Sequence, residues 1–224
     1  MNAHVATPTV SAFAWVPDFA KGQVRDLRVR WALEEAGLPY RTDLLSPGQA
    51  NADYRRHQPF GQVPAFQDGE VDMFESGAIV LHIAERAPAL MPTDPAGRAR
   101  TISWMFAALN TMEPPIQTLG ELDFFHADQD WAKARRPAMV AWVEKRAAEL
   151  AQRLGDNPYL DSDRFTAGDL LMTTVLRIID RTDLIRSQPR LNAYLERCTG
   201  RPAFQKALAA QMADFMGSPP PGWG

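Results

Sequence analysis

Residues 61–79 read GQVPAFQDGEVDMFESGAI, and the parsing of this stretch decides the fold. A proline cannot donate to a strand ladder, so Pro64 belongs at a strand's first residue, at an edge or in a special turn. A cis Val63–Pro64 bond would turn the main-chain N–H and C=O of Val63 outward, where an extended peptide can pair with them as an added strand. The alternative is a trans proline that simply opens the strand Val63–Gln67; only about one X–Pro bond in twenty is cis. Asp68-Gly69 follows, the strongest two-residue hairpin signal, and leads into a second short strand, Glu70–Phe74. Glu75-Ser76-Gly77-Ala78-Ile79 then opens a helix that runs to Arg86. A helix start offers unpaired N–H groups and about half a positive charge, which attracts carboxylate. Ser76 is thus placed to bind the carboxylate end of a zwitterionic ligand and Glu75 its ammonium group. A plain N-cap by either residue is the competing reading.

Upstream, Thr9–Val16 reads as a strand apolar on both faces, as burial on both sides of a sheet requires. Residues 23–36 carry a helical pattern that stops at Gly37, a C′ glycine. Tyr40–Leu45 is a further strand candidate and Asn51–His57 a short helix. The resulting order, strand-helix-strand-helix-strand-strand-helix, predicts a small mixed sheet with helices packed on it. Downstream, Pro88, Pro92 and Pro95 mark a linker, and strands disappear. Helices are expected over 96–125, 132–154, 167–181, 189–199 and 202–216. In the second, Met139, Val143, Ala147, Leu150 and Leu154 recur as one buried face. Phe165-Thr166-Ala167-Gly168-Asp169-Leu170 reads as a capping box with a hydrophobic staple, a folding device. The domains are therefore 1–87, a linker 88–95, and an all-helical 96–224. The tail from Ser218 ends the helical pattern and is expected either to be mobile or to lie across a neighbouring surface.

Composition narrows the function classes. With a net charge of −3, there is no general electrostatic reason to bind nucleic acid or an anionic membrane. Arg25, Arg28 and Arg30 form a local basic trio, expected on an amphipathic helix with some guanidinium groups solvated. The lone Cys198 excludes an intramolecular disulfide and a cysteine-only metal site, and is expected to be buried and inert. The first ten residues show no basic region followed by an apolar one, and no apolar run approaches the roughly 20 residues that span a bilayer. A reducing cytoplasm is the expected location, with no metal.

Gln62-Val63-Pro64-Ala65-Phe66, a hairpin, then Glu75-Ser76-Gly77-Ala78-Ile79 resembles the glutathione-binding half of the cytosolic glutathione transferases, of bacterial type. Val29-Arg30-Trp31-Ala32-Leu33-Glu34-Glu35-Ala36-Gly37-Leu38 is similar to the first helix of that family. The linker and helical half match it in order and length. The resemblance implies a thioredoxin-like α/β N-terminal domain followed by an all-α helical bundle, a homodimer, and glutathione as co-substrate. It implies that Val63 pairs its main chain with the cysteinyl part of glutathione, ahead of a cis Pro64. Glu75 and Ser76 would hold the γ-glutamyl end, and Gln62 would reach toward the glycyl carboxylate or nearby backbone.

Family members place a Tyr, Ser or Cys after the first strand to stabilise the thiolate; Trp15–Asp26 contains none of the three. An unperturbed thiol titrates near 8.5, and lowering that by two units needs about 2.7 kcal/mol. The side-chain amide of Gln23, the cations of Lys21 and Arg25, and the first N–H groups of the helix can all serve; Gln23 and Arg25 are the chosen candidates. Their competing readings are a solvated helix start and a salt bridge to Asp18 or Asp26. His57 and His82 are read as surface and packing residues. Transfer of the glutathione thiolate to an apolar electrophile is the leading expectation, with a pocket wall drawn from Trp104–Phe125. A glutathione-dependent peroxidase or disulfide reductase and a non-catalytic binding protein are the alternatives. The missing cysteine argues against attack by a protein thiol on a mixed disulfide.

Overall fold

The computed structural model describes residues 7–46, 51–69, 71–161, 163–180 and 182–220. The expected strand position at Glu70, helix position at Arg181 and tail residues 221–224 lie outside the described residues. The chain divides into two compact units, one of Met1–Leu90 with Pro202–Gly224, the other Met91–Arg201.

In the first unit, β1 (Thr9–Phe13) pairs in parallel with β2 (Arg41–Leu45) and antiparallel with β3 (Ala65–Gln67), which pairs antiparallel with β4 (Asp72–Phe74). The four-stranded order is β2-β1-β3-β4. β1 ends at Phe13, short of the expected Val16, and Ala14 makes a last bond from its N–H to Leu45 O at 2.9 Å before the chain leaves the sheet. Helix α1 (Asp26–Ala36) stops at Gly37, whose φ of 67° is the left-handed conformation glycine takes without a Cβ penalty. The Leu38 N–H reaches Leu33 O at 2.9 Å, which satisfies a terminal carbonyl. In place of the short helix expected over 51–57, a single 3-10 turn forms at Tyr54–Arg56. Helix α2 (Ser76–Ala84) starts directly after β4.

All of α1 from Asp26 to Leu33 is buried, a polar and charged set included. The reason is α9 (Pro202–Asp214), which packs along α1 on the first unit. Trp31 meets Phe204 edge-on, ring centroids 4.8 Å apart. The sequence grouped this last helix with the helical domain; in space it covers the N-terminal helix. It does so because Phe204, Ala207 and Gln211 form its buried face. Arg30, paired with Asp214 of α9, is 1% exposed and Arg28, which meets Ser76 of α2, is 4% exposed, so neither lies on a solvated helix face as the basic trio suggested; Arg25 is half-buried.

The second unit is helical among the described residues apart from loops: α3 (Pro95–Phe106), α4 (Glu113–Phe125), α5 (Asp130–Leu154), α6 (Ala167–Leu176), α7 (Asp183–Arg186) and α8 (Pro189–Thr199). The helix expected to run unbroken over 96–125 is interrupted by a wider π turn at Ala107–Met112. Pro114 and Pro115 follow it and cannot donate, so the ladder cannot continue in α register. The five residues expected to form the inner face of α5 are all buried. Helix α6 is buried throughout, and Thr166 with Asp169 makes the capping box at its start. It gives way at Arg177–Ile179 to a 3-10 turn, short of the expected 181.

Candidate functional site

The Val63–Pro64 bond is cis, as the outward-facing reading of that segment requires. Val63 is 6% exposed, and its side chain clusters with Leu45, Tyr54 and Ala65. Hydroxyl groups brace the segment on both sides of the proline. The Ala65 N–H donates to Ser11 Oγ at 2.7 Å, and Tyr54 OH donates to the Gln62 carbonyl at 2.6 Å. Ser11 and Tyr54 are themselves 2.8 Å apart, so one proton arrangement satisfies all three bonds, with the serine donating to the phenol. Burial raises the Tyr54 pKa, which keeps the phenol a donor. Below it, the Gln58 side-chain carbonyl accepts from the N–H groups of Phe60 (2.8 Å) and Gln62 (3.0 Å), fixing the turn that leads in. No described residue hydrogen-bonds the main-chain N–H or C=O of Val63.

At the other end of the hairpin, Glu75 adopts φ 68°, ψ 109°, the one positive φ of a non-glycine among the described residues. Such a conformation costs about 1–3 kcal/mol and persists only where its surroundings hold it. It turns β4 into α2 with no intervening loop and leaves the Glu75 side chain exposed. The Glu75 side chain makes no cap bond, so the plain N-cap reading fails for it. Ser76, buried, stands in the first turn of α2 among N–H groups that have no intrahelical partner. Its Oγ accepts from Arg28 Nη1 at 3.2 Å. A serine hydroxyl, helix N–H groups and a buried guanidinium thus converge on one point, a setting that favours a carboxylate. Sequence reading placed Ser76 and Glu75 there but missed Arg28, Ser11 and Tyr54. The signal for Ser11 was a hydroxyl inside an otherwise apolar strand.

Between β1 and α1 the chain makes a 3-10 turn at Asp18–Ala20, and the Gln23 N–H donates to Ala20 O at 3.0 Å. Arg25 flanks the start of α1, and both side chains are half-buried. Asp18 pairs with Lys21 and Asp26 with Arg30, each at 2.7 Å. Lys21 holds the Asp18 carboxyl below its usual range. Val24, between the two candidates, packs its side chain against the cluster that contains Val63. The structure therefore brings the Gln23–Arg25 segment beside the cis segment through Val24.

The histidines serve the hairpin. His82 Nε2 and Arg86 Nη1 meet Asp68 Oδ2 at 2.7 and 2.8 Å, tying α2 to the β3–β4 turn. His57 pairs with Asp72 on the surface. Burial pushes the Cys198 thiol up to about 12, which leaves it protonated and inert. Among the described residues no group of acids, histidines and cysteine is placed to hold a metal ion, and no helix is long and apolar enough to cross a membrane.

Known proteins are similar to this chain in sequence and fold. The N-terminal domain of glutathione S-transferases matches residues 19–85, and their C-terminal domain matches 112–202. Glutathione S-transferase 3 of Zea mays is 30% identical over 82% of this chain and 88% of its own. The disulfide-bond oxidoreductase YfcG of Escherichia coli (strain K12) is 29% identical over 81% of this chain and 89% of its own. Among solved structures, the theta class glutathione S-transferase of Xanthomonas axonopodis pv. citri with glutathione bound superposes with a TM-score of 0.76. It is 28% identical and covers 91% of this chain and 97% of that one.

Proposed function

The chain belongs to the glutathione S-transferase family, and we propose that it holds glutathione along Gln62–Pro64 and Glu75–Ser76 and transfers it to an apolar electrophile. The observation that carries the binding half is the head of α2, where Ser76 and the buried Arg28 stand 3.2 Å apart. There they take the γ-glutamyl carboxylate, and the exposed Glu75 carboxylate takes the ammonium group. The unengaged main chain of Val63 pairs with the cysteinyl residue as an added strand. Gln62 serves the glycyl end.

That pairing lays the cysteinyl sulfur beside the segment that Val24 packs against the cluster containing Val63. Gln23, through its amide donor, and Arg25, through its charge, stabilise the thiolate there in place of the usual hydroxyl. The thiolate attacks the electrophile, a carbon–sulfur bond forms, and the leaving group departs with the electron pair. The enzyme works as a homodimer in the cytoplasm, a setting that suits a chain whose single cysteine is a buried thiol.

One observation favours a second reading. The Escherichia coli relative is named a disulfide-bond oxidoreductase. In this chain residues 14–26 offer no cysteine, so two glutathione thiols would supply both electrons to a disulfide and leave as glutathione disulfide.

Ultraviolet difference titration of bound glutathione tests the proposal. The bound thiol is expected to ionise about one to two pH units below the free value of ~8.5. Transfer to a chlorinated aromatic then supports the first reading, and turnover of a disulfide without it supports the second. Tight binding with an unshifted thiol leaves a binding protein, and absent binding overturns the assignment of the site.

A further inference from the structure

Gln211, on α9, is 1% exposed. Its Nε2 donates to the Val24 carbonyl at 3.1 Å and to Asp26 Oδ1 at 2.8 Å. The Oε1 of the same amide is buried with no partner among the described residues. An orphaned buried acceptor costs about 1–3 kcal/mol, whereas methionine would fill the same space without that cost. Packing alone therefore does not explain a glutamine here; its two donor bonds do. Both bonds end on Val24–Asp26, the stretch that contains Arg25 and adjoins Gln23.

A second tie from the same C-terminal segment holds the opposite end of the loop. The Gly217 N–H donates to the Ala14 carbonyl at 2.8 Å, just after β1 ends. A Cβ at residue 217 would meet Ala14 O at 2.9 Å and Trp15 Cβ at 3.2 Å, so the approach requires glycine. Between these ties the network closes on itself. Arg30 binds Asp26 and Asp214, each at 2.7 Å, and Asp214 lies on the same helix as Gln211. Residues 14–26 are thus clipped at both ends by residues 211–217.

We propose that Gln211 and Gly217 are positioning residues for thiolate formation, acting by holding the loop that carries Gln23 and Arg25 against the Val63 segment. This rests on the glutathione site proposed above. The bond from Gln211 reaches across 187 positions of sequence to the one carbonyl that lies between the two thiolate-stabilising candidates. Release of either end lets Val24 shift on the Val63 cluster, and the sulfur loses its donors while the γ-glutamyl grip at Ser76 stays intact.

The experiment is the same thiol titration on the full-length Gln211→Met and Gly217→Ala proteins, with S-methylglutathione affinity measured in parallel. Each variant is expected to raise the bound-thiol pKa toward the free value, with about a tenfold loss of thiolate per pH unit of rise. The transferase pH–rate profile should move up by the same amount, so that rate returns at high pH. Affinity for S-methylglutathione, which has no thiol to ionise, should change by less than about twofold. A bound-thiol pKa unchanged in either folded variant overturns the two-ended clip. Should Gln211→Met fail to fold, Gly217→Ala decides alone, because Gly217 is exposed. A wild-type thiol that is itself unshifted would instead sink the proposed function, which separates the two failures.

Discussion

Two buried aspartates, Asp169 and Asp26, stand in the first turns of α6 and α1, and burial raises the pKa of both. Their partners come from different places. Asp169 accepts from the Thr166 N–H and the Leu160 N–H, each at 2.9 Å, and from the Thr166 hydroxyl at 3.0 Å, all within nine positions of sequence. Only the Tyr194 hydroxyl, at 3.1 Å, comes from further away. Asp26 is met locally by Arg30 and its own N–H, and from 185 positions along the chain by Gln211. A buried carboxylate satisfied by its own turn is a folding device. One satisfied by a remote helix couples that helix to whatever lies beside the carboxylate, and beside Asp26 lies the loop of residues 14–25 proposed to stabilise the thiolate.

The widest break in the comparison should come from removing each carboxylate. Asp169→Ala leaves two buried N–H groups without their acceptor and takes one of two acceptors from the buried Tyr194 phenol, the main-chain carbonyl of residue 169 at 3.3 Å remaining, and is expected to cost about 3–5 kcal/mol in urea unfolding. Glutathione affinity of the protein that remains folded should not change, since Asp169 touches no residue of the proposed site. Asp26 separates from it through pH. Its folded pKa, raised to about 6 by burial against the pull of Arg30, lies above the unfolded one. Its contribution to stability is therefore fully present below about pH 4 and is lost as pH rises through 6. Relative to Asp26→Asn, the wild-type protein should lose roughly 3 kcal/mol across that window, measured by urea unfolding at each pH. A flat difference between the two proteins would contradict burial as the dominant influence on Asp26.

Glu75 sharpens the contrast between stability and function. Glu75→Ala should weaken glutathione binding about tenfold by calorimetry, the loss expected for a charge-assisted bond. Glu75→Gly should lose the same affinity yet gain about 1 kcal/mol of stability, because glycine relieves the positive φ. Equal stability of the alanine and glycine variants would remove strain from the account. The smallest effect belongs to Tyr54→Phe, which deletes the donor to the Gln62 carbonyl. It should cost about 1 kcal/mol of stability and a lesser share of glutathione affinity.

Local patterns were legible wherever partners lie close in sequence. The Thr166–Asp169 box, the left-handed stop at Gly37, the hairpin around Asp68-Gly69 and the buried stripe of α5 need only neighbours within a turn or two. The proline at Val63–Pro64 and the Glu75-Ser76 pair marked the proposed ligand edge for the same reason, since a short strand edge and a helix start are local objects. Two of the three clustered arginines, Arg28 and Arg30, misled. Spacing alone puts guanidinium groups on a helix face toward water, and nothing near α1 announces that α9 will cover that face. The π turn at Ala107–Met112 was equally unmarked, although the proline pair that causes it was in plain view.

From sequence alone came the α/β order of the first ninety residues, the helical order of the rest and the positions proposed to grip glutathione. Hydrophobic period, turn chemistry and helix capping operate over a few residues and leave their trace in residue order. The tertiary structure decided that the last helix belongs with the first, that Arg28 stands behind Ser76, and that Gln211 and Gly217 bond the two ends of the loop between β1 and α1. Those facts depend on which surface covers which, and a buried charge is read correctly only when the group that satisfies it, nearly two hundred residues away, has been brought to its side.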